Sequence, residues 1–158
     1  MNERSALLGL SLTILLASFA ITTAPAASAP QGCPNATQVS RNGSGVNPQT
    51  IVQYSPPVLG QIWHVDLDCT GHANGLSYLF MYASAHPGMP TAFGELLVNT
   101  SSPRYLLQSQ FHGGVVAHYL NTIPNNMALC GIRATTQGVC LGSPGARLSN
   151  ALDIRFGL

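Results

Sequence analysis

The chain has 158 residues, of which 46% are hydrophobic and only 7% are charged, and its formal net charge is +1. Its six basic residues other than histidine are all arginines, and they are scattered along the sequence. Proteins that bind nucleic acids or anionic membranes through charge carry clustered basic residues, so this composition argues against both kinds of partner.

The N-terminal segment has the organisation of a secretory signal peptide. Arg4 gives a positive start, residues 7–21 form an apolar run, and residues 23–29 are small enough to suit signal peptidase. A membrane anchor is the alternative, but the run is shorter than the roughly 20 residues that a spanning helix needs. We therefore predict a signal peptide at residues 1–29, with an earlier cut near Ala26 also open, and a secreted or cell-surface product that has no membrane contact after cleavage.

The first half of the exported part is predicted to be a leader followed by an alternating strand. Residues 30–57 are rich in Pro, Gly and Asn, with one short possible strand at 50–54, and we interpret them as a leader to a domain at 58–158. Strict alternation then predicts a strand at 61–68. Its apolar face carries Trp63, Val65 and Leu67, and its polar face carries His64, Asp66 and Asp68.

Four further strands are expected before the end of the chain. Residues 76–83 are apolar on both faces, which predicts a central strand that is covered on both sides. Residues 84–93 contain two prolines and a glycine and are predicted to form a loop. Three short strands follow, at 94–99, 104–111 and 115–121, and His112-Gly113-Gly114 is predicted to join the last two as a hairpin turn.

Residues 129–157 are predicted to form a terminal β-hairpin. Its arms are 129–141 and 148–156, and its turn at 142–147 contains Gly, Ser and Pro. In the second arm Leu148, Leu152, Ile154 and Phe156 are predicted to share the inward face. No exported segment has a helical apolar period, so the fold class is all-β: an antiparallel β-sandwich of about seven or eight strands.

The cysteines Cys33, Cys69, Cys130 and Cys140 predict two disulfides, because an even number of cysteines in an exported chain usually pairs. If 129–141 is one unbroken strand, Cys130 and Cys140 lie about 33 Å apart, beyond the roughly 7 Å that a disulfide spans between Cα atoms. We then prefer Cys33–Cys130 with Cys69–Cys140. A turn at Thr135-Thr136 would instead allow Cys130 to bond Cys140.

Several short motifs resemble a family of small exported bacterial β-sandwich domains that end in a Leu-Ser-Asn-Ala-Leu-Asp…Gly hairpin. The resemblance covers most of residues 33–157 and implies a β-sandwich, secretion and no established activity. A cysteine that the family often carries near 94–99 is absent here. The matching motifs are Cys33-Pro34, Pro57-x-x-Gly60-Gln61, Gly94-Glu95-Leu96-Leu97-Val98, Ile123-Pro124, Leu129-x-Gly131, Gln137, Leu148-Ser149-Asn150-Ala151-Leu152-Asp153 and Gly157.

The sharpest chemical candidate is His64-x-Asp66-x-Asp68, which places an imidazole and two carboxylates on one strand face. Such groups are ligands for Zn²⁺ and other divalent ions. Neighbours on that face are nearly 7 Å apart, however, so one cation rarely takes more than two of them, and we prefer to interpret the residues as the polar face of the strand. His112 and His118 could serve with Asp66 as a base and its orienting acid, although alternation predicts that His118 simply faces outward.

Three functions remain open from the sequence. We favour a secreted, non-enzymatic module with a structural, adhesive or interaction role, which needs no cofactor or metal and binds an extracellular protein or glycan. A carbohydrate-binding domain is the first alternative, and a small metal-dependent hydrolase that uses His64 and Asp66 is the second. A serine hydrolase is disfavoured because G-x-S-x-G is absent. The residues available for sugar stacking are Tyr54, Trp63, Tyr78, Tyr82, Tyr105 and Tyr119.

Overall fold

The computed structural model describes residues 32–158, so the predicted signal peptide at 1–29 lies outside the described residues. Within this range ten β-strands are joined by turns and by one short 3₁₀ turn, Met127–Leu129. No helix in this range is long and apolar enough to cross a bilayer. The strands are β1 Thr37–Arg41, β2 Ile51–Gln53, β3 Ile62–Asp68, β4 Gly75–Tyr82, β5 Ala85–Thr91, β6 Gly94–Val98, β7 Arg104–His112, β8 Val116–Thr122, β9 Arg133–Gly142 and β10 Gly145–Arg155.

The strands form three sheets, and every strand pair is antiparallel. A five-stranded sheet has the order β1-β10-β9-β4-β7, a three-stranded sheet has the order β2-β3-β8, and β5 and β6 pair with each other. The predicted antiparallel β-sandwich is therefore confirmed, with ten strands where seven or eight were expected. Two of the ten, β1 and β2, lie within residues 30–57.

The core lies between the five-stranded and three-stranded sheets. The predicted apolar face of β3 is confirmed, because Trp63, Val65 and Leu67 are all fully buried. They pack against inward side chains of the larger sheet, such as Leu79. Gly138 on β9 allows this close approach, since a Cβ there would lie 2.7 Å from the Leu67 methyl carbons.

Strand β4 is central in the larger sheet, as predicted, but it is covered on one face only. Leu79 and Met81 are buried in the core, whereas Tyr78 and Phe80 are half-buried on the outer face. Leu76 on that outer face is 42% exposed. The apolar side chains on both faces of β4 are therefore not a sign that both of its faces are covered.

The predicted loop at 84–93 is wrong, because its first eight residues include strand β5. Pro87 and Pro90 are tolerated there since β5 pairs on one side only, with β6, and its register is irregular between Ala85 and Met89. Proline lacks an N–H and is confined to edge strands and irregular positions of this kind.

The predicted hairpin at His112-Gly113-Gly114 is also wrong. The strands before and after this turn belong to different sheets, because β7 pairs with β4 and β8 pairs with β3. The turn therefore carries the chain from the larger sheet to the smaller one. Both β7 and β8 are left as the end strands of their sheets.

The terminal hairpin is confirmed as β9–β10, but one predicted face is wrong. The register shifts between Leu148 and Ala151, so that Ser149 and Asn150 together lie opposite Gly138. A β-bulge of this kind reverses the inside and outside of the strand. Leu148 therefore shares a face with Val139, opposite to the core face of Leu152.

Both disulfides have the preferred pairing. Cys33 bonds Cys130, and Cys69 bonds Cys140. Thr135 and Thr136 lie inside β9 and not in a turn, so Cys130 and Cys140 are kept apart as argued. The strand begins only at Arg133, however, because Met127–Leu129 forms the 3₁₀ turn with Asn126 as its N-cap.

A buried polar network joins the β5–β6 hairpin to the face of the larger sheet that points away from the core. The Asn47 amide donates to the carbonyls of Glu95 and Ser149 and accepts from the Glu95 N–H. The Gln137 amide donates to the same two carbonyls and accepts from the Leu97 N–H. The motif residues from the 94–98, 137 and 148–153 segments thus meet in one hydrogen-bonded layer.

Candidate functional site

Three side chains on the outer face of the three-stranded sheet converge on one carboxylate oxygen. Asp66 Oδ1 lies 2.8 Å from His64 Nε2 and 2.7 Å from His118 Nδ1. We call these residues the His–Asp–His trio. Its carboxylate is only 6% exposed, whereas the His64 and His118 side chains are 34% and 63% exposed. The carboxylate is therefore the buried member of the trio, and the two imidazoles are its solvent-accessible members.

Strand register explains why these residues meet. His64 and Asp66 are two residues apart on β3, so their side chains share a face. His118 on β8 lies directly opposite Asp66, at a spacing where cross-strand side chains touch. Because β3 lies between β2 and β8, both neighbours hold the carboxylate in place. His64 and Asp66 were predicted as site residues, and His118, expected only to face outward, joins them.

The surroundings of Asp66 favour its charged form. Burial raises the pKa of the Asp66 carboxyl, but hydrogen bonds from His118, Tyr54 and His64 together outweigh this and bring the pKa below its usual value. The same carboxylate raises the pKa of the Tyr54 phenol by hydrogen bonding and charge. Asp66 is thus a fixed anion under two histidines and one tyrosine at neutral pH.

The other predicted site residues lie elsewhere. Asp68 accepts a hydrogen bond from the Thr70 N–H at 2.9 Å and so ends its strand as a turn residue. His112 is buried, with its Nε2 3.0 Å from the Leu141 carbonyl and its Nδ1 accepting from the Gly114 N–H. Neither residue is part of the trio, and the structure does not bring His112 to Asp66, an arrangement that the sequence had left open.

Apolar and aromatic side chains surround the trio on the same sheet face. The Tyr54 ring stacks on His64 with its centroid 4.6 Å away. Val52, Ile62 and Leu120 are all exposed close by in the register. The trio is therefore a polar centre within an accessible apolar surface.

A second feature of interest is the gap between the end strands β7 and β8, which we call the seam. No strand pairing joins these two strands in the described part of the chain. The seam is bridged by the Gln110 amide, which donates to the His118 carbonyl at 3.0 Å. Two cavities open along it, one of about 480 Å³ that borders Gln108 and Leu120, and one of about 350 Å³.

The smaller cavity reaches the apolar core. Its lining includes Trp63, Leu106, Ile132 and Phe156, together with Asn121 of β8. Gln108 pairs with Leu79 and Asn121 pairs with Trp63, so both lie on the core-facing side of their strands. Asn121 borders the smaller cavity and Gln108 borders the larger one, and both side chains are half-buried.

Both of these side chains carry a buried atom without a hydrogen-bond partner among residues 32–158. The atoms are Gln108 Oε1 and Asn121 Nδ2. A buried polar atom without a partner costs about 1–3 kcal/mol, so such atoms are uncommon in folded proteins. Gln53 Oε1 on β2, at the far edge of the smaller sheet, is in the same condition and provides a comparison away from the seam.

The residues predicted for sugar stacking do not share one surface. Trp63 and Tyr119 are buried in the core, while Tyr54 lies beside the trio and Tyr105 is exposed on β7. Phe80 and Tyr82 meet edge to face at 74°. Pyranose stacking requires exposed rings, so Trp63 and Tyr119 are not available for it.

No protein-family model matches the chain, and no curated protein matches it either. The seam was missed by sequence reasoning because it depends on β7 and β8 entering different sheets. One local signal was available in the sequence. Gln108, Gln110 and Asn121 are polar residues that lie between the outward-facing positions of β7 and β8, where apolar residues would be expected.

Proposed function

We propose that the protein is a secreted, non-enzymatic β-sandwich module that binds an extended apolar segment of an extracellular protein at the seam. Secretion is supported by the signal-like residues 1–29 and by the two disulfides, which persist in oxidising compartments. The observation that carries the binding role is the pair of unpartnered buried atoms, Gln108 Oε1 and Asn121 Nδ2, between two unpaired strand edges.

An extended peptide matches what the seam offers. The free edge of β7 presents nine residues of backbone, and an added strand would pair with its N–H and carbonyl groups. One apolar side chain of the peptide would fill the 350 Å³ cavity beside Leu106 and Phe156. Backbone groups of the peptide would then reach Gln108 and Asn121 and complete their hydrogen bonding.

The surface next to the seam supports a protein partner. Leu107 and Phe111 project from the outer face of β7 and are 50% and 68% exposed, and Tyr105, which is 50% exposed, borders the smaller cavity. Exposed apolar groups that lie together are typical of protein-binding surfaces. A glycan is a poorer match, because the cavity is lined mainly by aliphatic and aromatic carbon.

The test is peptide selection followed by amide hydrogen exchange. A library of random linear peptides displayed on phage is selected on the purified oxidised protein, and the enriched peptides are synthesised. We expect alternating apolar sequences that slow exchange of amides in β7 or β8. Enriched peptides that protect only other strands, or an absence of enrichment, would contradict the proposal, as would tight binding to a glycan array instead.

A matched pair of variants separates recognition from general stability. The double variant Gln108→Leu, Asn121→Leu fills the seam with apolar groups and should weaken peptide binding by at least about tenfold, the equivalent of 1.4 kcal/mol. Gln53→Leu removes a similar unpartnered oxygen on β2 and should leave the affinity unchanged. Equal affinities for the double variant and the control would contradict a site at the seam.

A further inference from the structure

The His–Asp–His trio has the composition and geometry of a metal-binding site. His64 Nε2, His118 Nδ1 and a carboxylate oxygen of Asp66 lie within 4.8 Å of one another. In tetrahedral zinc sites, bonds of 2.0–2.1 Å place the ligand atoms about 3.3 Å apart. The three donors therefore need only small side-chain rotations to surround a single ion.

The sheet holds the three donor side chains in fixed relative positions. Asp66 and His118 are fixed by cross-strand register, and His64 is fixed by its position two residues from Asp66 on the same strand. The opposite face of β3 is anchored by three fully buried side chains, Trp63, Val65 and Leu67. Sites built on strands hold their donors more accurately than sites on loops.

The hydrogen bonds of the trio direct two imidazole nitrogens at the same carboxylate oxygen. Both imidazoles approach the same oxygen, Oδ1, so in a metal-free state each nitrogen must carry a proton there. A neutral imidazole that carries its proton on the other ring nitrogen instead presents an electron pair toward the same point. A single cation at that point would then be bound by both imidazoles and by the Asp66 carboxylate.

The nature of the donors selects the kind of ion. Two imidazoles and one carboxylate suit Zn²⁺ and neighbouring late divalent metals better than Mg²⁺ or Ca²⁺, which prefer oxygen ligands throughout. Three protein ligands also leave a fourth tetrahedral position free. It would face outward, because His118 is 63% exposed.

We propose that His64, Asp66 and His118 bind one Zn²⁺ ion, with the fourth position open to water or to a donor group from outside the protein. This site goes beyond the proposed binding of a peptide and does not depend on it. Tyr54, stacked on His64, is a wall of the site, and Asp68 is not a ligand because it is bonded to Thr70.

The experiment is calorimetric titration of ZnCl₂ into the full chain, oxidised, without a histidine tag and stripped by a chelator. We expect a stoichiometry of one. Co²⁺ added in place of Zn²⁺ should give the intense visible spectrum of a tetrahedral site. Binding weaker than about 1 mM, or the pale spectrum of octahedral Co²⁺, would overturn the proposal without the use of any variant.

Matched variants assign the ligands. His118→Ala and Asp66→Asn should each weaken Zn²⁺ binding by more than about 100-fold, since even residues outside the first ligand sphere affect affinity by 10–100-fold. His86→Ala and Asp68→Asn remove an imidazole and a carboxylate that lie outside the trio and should bind like the wild type. Wild-type affinity in His118→Ala, whose side chain is mostly exposed and whose folding can be checked by thermal melting, would overturn the assignment.

Discussion

Two groups of polar side chains lie on opposite sides of the larger sheet, and they differ in how completely they are partnered. In the network under β5–β6, both amide atoms of Asn47 and of Gln137 are hydrogen-bonded to backbone. At the seam, Gln108 and Asn121 each retain a buried atom without a partner in the described chain. Complete partnering is typical of a structural role, and the incomplete partnering at the seam is the observation on which the proposed binding role rests.

The largest expected effect on stability comes from reduction of the two disulfides. The bonded cysteines are 97 and 71 residues apart, and closing loops of this size contributes about 4 kcal/mol each by chain entropy. The whole free energy of unfolding of a domain is about 5–15 kcal/mol. We expect dithiothreitol to unfold the protein or nearly so, as measured by near-UV circular dichroism.

Retention of the native spectrum after full reduction, verified by thiol titration, would show that the two sheets hold together without the bridges. The variants Cys33→Ser with Cys130→Ser, and Cys69→Ser with Cys140→Ser, separate the two contributions. The second pair should cost more than the first, because Cys69 and Cys140 are both buried in the core while Cys33 and Cys130 lie at its margin.

A smaller effect is expected when one member of the buried network is removed. Asn47→Ala deletes three hydrogen bonds and leaves the Glu95 N–H without its acceptor, so the free energy of unfolding should fall by about 2–3 kcal/mol. Urea unfolding measures it. Asn121→Ala is the matched control at the seam, and its loss should be under about 1 kcal/mol. Equal losses of unfolding free energy at the two positions would contradict the proposed difference between the buried network and the seam.

The smallest effect is expected for the exposed part of the trio. His118→Ala should change the stability of the metal-free protein by less than about 0.5 kcal/mol, because the side chain is largely in water. Asp66→Ala should cost more, about 1 kcal/mol, since that carboxylate is buried and accepts hydrogen bonds from both histidines of the trio. Thermal melts with and without a chelator distinguish these effects from metal binding, and a reversed order would contradict the geometry of the trio.

Local patterns predicted those parts of the fold that depend on neighbouring residues. Alternation placed Trp63, Val65 and Leu67 in the core, and turn residues located the β9–β10 hairpin. The bulge at Ser149–Asn150 was not predicted, although polar Asn150 interrupts the apolar series of Leu148, Leu152 and Ile154. Burial of Gln137 was not predicted either, since a polar residue on the outer face of a strand is normally exposed until another layer covers it.

Only part of the candidate site could be predicted from the sequence. His64 and Asp66 are two residues apart, so their shared face follows from strand geometry alone. His118 meets them through the pairing of β3 with β8, across 52 residues of sequence, and this pairing required the turn at Gly113-Gly114 to join two sheets. The seam depends on the same non-local event, which explains why the local hairpin interpretation hid both features.

The most direct test of the central contrast is the same substitution on both sides of the sheet. Gln137→Leu replaces a glutamine whose two amide atoms are fully partnered, and it should lower the free energy of unfolding by about 3 kcal/mol. Gln108→Leu replaces one with an unpartnered buried oxygen and should raise the free energy of unfolding by about 1 kcal/mol. Urea unfolding of the two variants beside the wild type should therefore give changes of opposite sign, and changes of the same sign would contradict the account.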